Sequence, residues 1–204
     1  MEEARQTVFL VDDDPSVLSA LERLLRVAGY TVEAHASARA FLERVSPARP
    51  GCVVADLRMP EVGGLELQAE LARRGCPLPL VFLTGHGDIP SSVRAMKAGA
   101  IDFLSKPCED TDLLAAVDRA LEHDAGWRRA REEQDALRGR FEGLTPRERE
   151  VCLRVAQGRL NKQIAAELGT AEKTIKTHRG RVMEKLGVES MAELVRFVDR
   201  LQDA

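Results

Sequence analysis

The sequence predicts two domains: an α/β doubly wound domain built on a parallel five-stranded sheet, followed by a small all-α domain of four helices. Three observations predict this. Through roughly the first 122 residues, short continuous apolar runs alternate with segments of helical periodicity, the pattern of repeated βαβ units. Beyond residue 142 only helical periodicity remains, cut by glycines. The charge also changes sign along the chain. Residues 1–124 hold 13 Lys+Arg against 20 Asp+Glu, a net −7, whereas 125–140 and 141–204 each carry +2. An acidic front suits cation or phosphoryl chemistry, and a mildly basic back suits a polyanion.

The expected strands are Val8–Val11, Thr31–Ala34, Cys52–Ala55, Leu80–Leu83 and Ile101–Leu104. The first, third and fourth are apolar throughout, as strands buried on both faces must be. Asp14-Pro15 supplies an N-cap and a first-turn proline for the first helix, whose Val17, Leu18, Leu21, Leu24 and Leu25 repeat at helical spacing up to Gly29. Ala38–Val45, Leu65–Arg73, Ile89–Ala98 and Leu113–Leu121 are the other four helices of this half. From Leu113 to Phe141, Leu113, Ala116, Ala120, His123, Trp127, Ala130, Gln134, Leu137 and Phe141 recur in steps of three and four. That spacing suits one long amphipathic helix or a short coiled-coil seam. Gly126 favours the alternative, a flexible charged linker.

In the last part, Thr145-Pro146-Arg147-Glu148 combines an N-cap, a first-turn proline and a capping glutamate. Asn161 caps a second helix, Lys162–Leu168, closed by Gly169; a third runs from about Ala171 to Leu186. Ser190-Met191-Ala192-Glu193 opens a fourth. Two short helices joined by a tight glycine turn make a helix-turn-helix candidate.

The chain has 204 residues, 44% hydrophobic and 31% charged, which excludes collagen-like or largely disordered classes. Its apolar runs are too short to span a bilayer, and Met1-Glu2-Glu3-Ala4-Arg5 lacks the order of a signal peptide. Cys52, Cys76, Cys108 and Cys152 are far apart with no CxxC spacing. Neither a disulfide framework nor a zinc cluster is expected, and a cytoplasmic location fits.

Asp12 and Asp13 follow the first strand, Asp56 follows the third, Thr84 the fourth and Lys106 the fifth. In a doubly wound sheet these strand ends form one rim, where such folds bind ligands. Clustered carboxylates repel and need a cation, and Mg2+ suits a site of few carboxylates because it keeps waters (Mn2+ is a second option). A hydroxyl and an ammonium beside them complete a cradle for a phosphoryl group. One carboxylate attacking phosphorus would give an acyl phosphate. Thr84-Gly85-His86-Gly87-Asp88 contains a GxG but neither GxxxxGK[ST] nor GxGxxG, so it reads as a permissive loop, with His86 a loop residue. Cys108 reads as an inert thiol.

Val11-Asp12-Asp13-Asp14, Asp56-Leu57-Arg58-Met59-Pro60, Thr84-Gly85 and Lys106-Pro107 resemble the receiver domain of bacterial two-component response regulators. The resemblance implies a phosphoacceptor at Asp56, loaded from a phosphohistidine on a sensor histidine kinase. It implies Mg2+ held by Asp12, Asp13, Asp56 and the backbone carbonyl of Arg58. Thr84 and Lys106 would contact the phosphoryl oxygens, Phe103 would be the aromatic switch, and Lys106-Pro107 would be cis. The chain departs from the family at Gly63, where an acidic residue is common.

The segment Ala171–Leu186 is basic, and Ile175, Val182 and Leu186 form its inward stripe, so it fits a recognition helix in the major groove of double-stranded DNA. Leu144-Thr145-Pro146-Arg147-Glu148, Asn161-Lys162-Gln163-Ile164-Ala165 and Lys173-Thr174-Ile175-Lys176-Thr177-His178 resemble the LuxR-type DNA-binding domain, and the whole chain is similar to FixJ-like response regulators. This implies a receiver over 1–122, a helical linker over 123–141 and a DNA-binding domain over 142–204. The implied DNA-binding residues are Lys162, Lys173, Thr174, Lys176, Thr177, His178, Arg179, Arg181 and Lys185, with Lys162 and Lys176 on phosphates and Arg181 the candidate for guanine readout. Gly180 falls where some relatives carry a long base-contacting side chain. Thr170-Ala171 replaces an aliphatic-Ser pair, with Thr170 expected to take over the N-cap.

The implied activity is a phosphorylation-switched transcription factor that forms a homodimer on phosphorylation and works with RNA polymerase, not a turnover enzyme and not a membrane protein. Two alternatives are weighed against it. Dehalogenase-type phosphatases also use an Asp nucleophile with Mg2+, but carry a second Asp two residues on, where this chain has Arg58. The other is a module whose last domain contacts protein or RNA; RNA modules present stacking aromatics, and the last domain has only Phe141 and Phe197, neither on the basic helix.

Overall fold

A computed structural model describes residues 6–85 and 89–202, so the expectations for His86, Gly87 and Asp88 lie outside the described residues. The chain divides into two compact units, Met1–Arg128 and Arg129–Ala204. This division falls six residues beyond position 122.

The first unit contains β1 (Thr7–Val11), α1 (Pro15–Val27), β2 (Thr31–His35), α2 (Ala38–Arg44), β3 (Gly51–Ala55), α3 (Gly64–Arg73), β4 (Leu80–Thr84), α4 (Ile89–Lys97), β5 (Asp102–Ser105) and the first part of α5 (Asp110–Glu142). The strands are all parallel, in the order β2-β1-β3-β4-β5. Strand order reverses at β1 and β3, which makes the gap beyond their carboxyl ends the topological switch point where such sheets take ligands.

Alternation along the buried strands feeds two separate cores. Phe9, Val11, Val53, Ala55 and Phe82 pack with Phe41, Leu67, Leu71 and Ala95 of α2, α3 and α4. Val8, Leu10, Cys52, Val54, Val81 and Leu83 pack with Leu18 and Leu25 of α1 and with Leu113, Ala116, Val117 and Ala120 of α5. Phe82 is fully buried, so its replacement by Ala would cost roughly 3–5 kcal/mol. Asp14 caps α1 as expected, its Oδ1 accepting from Ser16 N at 2.8 Å. Gly51 is demanded twice over: φ is 154°, and a Cβ there would lie 2.0 Å from Thr7 O.

α5 runs unbroken through Gly126, so the linker is helical. It offers no continuous seam for pairing, however. Leu113, Ala116 and Ala120 are spent in the first unit's core, and Leu137 and Phe141 in the second's, leaving Trp127 and Ala130 exposed between them.

The second unit adds α6 (Pro146–Ala156), α7 (Asn161–Glu167), α8 (Glu172–Leu186) and α9 (Met191–Gln202) to the end of α5. Its core contains Val151, Ile164, Ile175, Val182, Leu186, Leu194 and Phe197. Thr145 and Glu148 form the expected capping box on α6, with both bonds made. Two caps differ from expectation. Asn161 is the first residue of α7, not its cap: Leu160 occupies the cap, its N–H donating to Gln163 Oε1 at 2.9 Å. Ala171, not Thr170, caps α8, because Thr170 still belongs to the preceding turn, its N–H donating to Ala165 O.

Candidate functional site

Asp12 and Asp56 stand at the ends of β1 and β3, and the backbone holds both. Asp12 N donates to His35 O at 3.2 Å and Asp56 N to Val11 O at 2.9 Å. Both side chains are buried, with 5% and 9% of the residue exposed. Lys106 joins them across the switch point: its Nζ donates to Asp12 Oδ2 at 2.6 Å and to Asp56 Oδ1 at 3.1 Å. Burial opposes the charge on Lys106, but these two carboxylates outweigh it and raise its pKa above the ordinary value. The Lys106-Pro107 bond is cis, and Lys106 N donates to Thr84 O at 2.7 Å, which fixes the end of β5 beside the end of β4.

The remaining carboxylate oxygens are also engaged. Asp12 Oδ1 accepts from Asp14 N at 2.9 Å, and Asp56 Oδ2 accepts from Arg58 N at 2.6 Å. The second bond lays the Arg58 peptide against Asp56, while the Arg58 side chain is exposed. Asp13 is exposed and Thr84 is buried. The half-buried Phe103 ring lies 6.2 Å from that of Phe82, between centroids. The next loop passes close behind Asp56: a Cβ on Gly64 would sit 2.6 Å from Asp56 O, so the chain needs glycine here. Gly63 caps α3 without a side-chain bond, the local consequence of its departure from an acidic residue.

Two buried carboxylates share one ammonium, so the pocket has an excess of negative charge. Among the described residues no three His, Cys, Asp or Glu side chains form a metal cluster. Such a pocket is no closed protein cage, but it fits a hard divalent ion that binds through one or two carboxylates and retains water.

On α8, Lys173, Thr174, Lys176, Thr177, Gly180 and Arg181 are exposed, opposite the stripe of Ile175, Val182 and Leu186. Three predicted DNA contacts behave differently. Lys185 Nζ donates to the buried Glu148 Oε2 at 2.7 Å, tying α8 to α6. Arg179 donates to Asn161 Oδ1 at 2.6 Å and Met191 Sδ at 2.9 Å. His178 is partly buried, and its Nδ1 has no hydrogen-bond partner. Each lies three or four residues from a member of the buried stripe, on its flanks. In the sequence these positions read only as basic, because Glu148 lies 37 positions from Lys185 and on another helix.

Sheet order, switch-point carboxylates and a basic helix in a second unit together define a class: a receiver joined to a helix-turn-helix. Residues 8–118 match the response regulator receiver domain family, and residues 142–198 match the luxR family of bacterial regulatory proteins. Nodulation protein W of Bradyrhizobium diazoefficiens is 48% identical over 95% of this chain and 86% of its own length. Response regulator protein TmoT of Ectopseudomonas mendocina is 43% identical over the whole chain and 93% of its own. The structure of response regulator StyR superposes with a TM-score of 0.89, 51% identity, 97% of this chain and all of that one. The chain belongs to the LuxR-type two-component response regulators, transcriptional regulators with a receiver and a DNA-binding domain. Receiver domains of this type generally use Mg2+ for phosphorylation. No helix among the described residues is long and apolar enough to cross a membrane.

Proposed function

We propose that this chain is switched by phosphorylation of Asp56 and acts, through its second unit, as a dimeric regulator of transcription. The observation that carries this reading is the Lys106 ammonium shared by Asp12 and Asp56 at the switch point. An Asp56 oxygen attacks the phosphorus of a phosphohistidine on a sensor histidine kinase. The P–N bond breaks, the imidazole leaves and takes up a proton, and an acyl phosphate remains on Asp56. Lys106 is placed to turn from Asp56 to a phosphoryl oxygen without losing Asp12, and Thr84 is the hydroxyl partner. Asp12, Asp13, Asp56 and the Arg58 carbonyl are the residues that would hold Mg2+, which when bound offsets the charge of the carboxylates and the incoming phosphoryl group. Transfer is stoichiometric rather than turnover.

Phosphorylation then biases an existing equilibrium through Thr84 and Phe103. α4 supplies the face for pairing: Ile89, Val93 and Met96 are exposed, at 80, 44 and 45%, and spaced to form one stripe. Two receivers pairing there would present two α8 helices to a two-fold DNA site, with Lys173, Thr174, Lys176, Thr177 and Arg181 toward the groove and Lys162 on a phosphate. RNA polymerase is the downstream partner, and the cytoplasm the site of action. The domains in this reading are a receiver over 1–122, a linker over 123–141 and a DNA-binding domain over 142–204.

The experiment is solution mass by light scattering with beryllofluoride and Mg2+, for wild type and Asp56→Asn. Dimer formation by wild type alone supports the reading. An Asp56→Asn protein that dimerises under the same conditions refutes it.

A further inference from the structure

α7 is two turns long; Ile164 and Ala165 anchor it in the second unit's core, and arginines from other helices brace its two ends. Its carboxyl end has two: Arg147 Nη2 donates to Leu168 O at 2.6 Å, and Arg154 Nε bonds Glu167 at 3.0 Å. Its amino end has Arg179, reaching from α8 to Asn161 Oδ1. The second arm of the same guanidinium meets Met191 at the start of α9. Arg179 is four residues from Ile175 and three from Val182, both buried, so it stands beside the inward stripe of α8. Ahead of the buried Ile164, the start of α7 is open to solvent: Leu160 is 67% exposed, and Lys162 and Gln163 are exposed.

We infer that Arg179 is a positioning residue for DNA binding: by fastening Asn161 it sets the first turn of α7, and Lys162 with it, against α8, and it reads no base itself. A guanidinium that reads guanine must turn its fork outward to the base edge. Here the two terminal nitrogens are already committed to α7 and α9. The inference rests on the reading of the second unit as a DNA-binding domain and of Lys162 as a phosphate contact.

The test uses the full chain and two probes: a duplex enriched from a random-sequence pool by the wild-type protein, and a scrambled duplex. The variants are Arg179→Ala, Asn161→Ala and the two combined. Each single variant should weaken binding to both probes by roughly tenfold or more, the worth of one charge-assisted hydrogen bond. The double variant should be no weaker than the worse single, because both break one fastening. Each should lower the slope of log affinity against log salt by about one phosphate contact. For Asn161→Ala, which removes no charge, that drop arises only if Lys162 has moved. The pool enriched by Arg179→Ala should show the wild-type base pattern. Should Arg179→Ala melt early, Arg179→Met, which keeps the packed stem, replaces it.

The inference is overturned if the Arg179→Ala pool loses a base preference, or if Asn161→Ala keeps wild-type affinity and salt slope. A wild-type protein that enriches no sequence removes the DNA-binding reading itself, and the inference with it; that outcome is read before any variant is made.

Discussion

The Glu148 carboxylate accepts from Thr145 N at 2.9 Å and from Lys185 Nζ at 2.7 Å while shielded from solvent. These partners, Lys185 foremost, pull its pKa down to about 2 from an ordinary 4.5. A carboxyl depressed on folding stabilises the native state above its unfolded pKa and loses that contribution as pH falls through its folded pKa. The second unit should therefore weaken between about pH 4.5 and 2. Lys185→Met should cost roughly 1–2 kcal/mol near neutral pH, a figure reduced because the lysine is 40% exposed. Urea unfolding by circular dichroism at about pH 5.5 and about pH 2.5 checks both expectations, with the gap between the proteins narrowing at the lower pH. An equal gap at both values would show that Lys185 stabilises by packing alone. At this scale the sequence is legible where chemistry is local. Asp12, Asp56 and Lys106 are readable because each directly follows a strand. Lys185 and Arg179 are not, because their partners come from other helices, and helical periodicity does not tell a flank from an outward face.

Asp124 and Arg128 show the same limit at the scale of the element. Asp124 is fully buried near the end of the receiver part of α5, where its Oδ2 accepts from Gly51 N at 2.8 Å. Arg128 Nε donates to both Asp124 oxygens, and its terminal nitrogens reach the carbonyls of Pro47, Ala48 and Arg49, the last at 2.6 Å. One ion pair thus fastens α5 to the loop before β3. This is why the first unit runs to Arg128, although the sequence of 123–141 reads as a helical linker. Arg128→Ala would strand a buried carboxylate and should destabilise the receiver by roughly 3–5 kcal/mol, measured by thermal or urea unfolding. Gly126, between the two, behaves oppositely: a Cβ there meets nothing within 4 Å and α5 is regular through it. Gly126→Ala should stabilise by roughly 0.5–1 kcal/mol. A loss instead would mean that α5 bends at Gly126 in solution. The apparent seam from Leu113 to Phe141 misleads for a related reason: its repeat is real, but two different cores use its two ends.

For the whole molecule, the proposed function requires that a signal at Asp56 reach the second unit, and association of two chains is the proposed route. A dimer doubles the number of recognition helices on one duplex and converts the second contact into an intramolecular one, so affinity rises with no new contact to DNA. The α4 stripe is the surface proposed for this pairing. Ile89, Val93 and Met96 are exposed together on the outer side of a helix whose inner side buries Ser91 and Ala95. Helix α3 also holds α4 near its end, where Gln68 Nε2 donates to Ala95 O at 3.1 Å. Substituting the outer side therefore leaves this hold intact. Val93→Glu with Met96→Glu should accept a phosphoryl group on Asp56 as fast as wild type, by mass spectrometry with a small phosphodonor. The same protein should remain monomeric in beryllofluoride and show no phosphorylation-dependent gain in affinity for a selected duplex. In wild type that gain should be about 100-fold or more, the lower end of avidity for linked sites. If the variant keeps the gain while staying monomeric, phosphorylation acts by freeing the second unit within one chain, and the exposed stripe on α4 serves another contact.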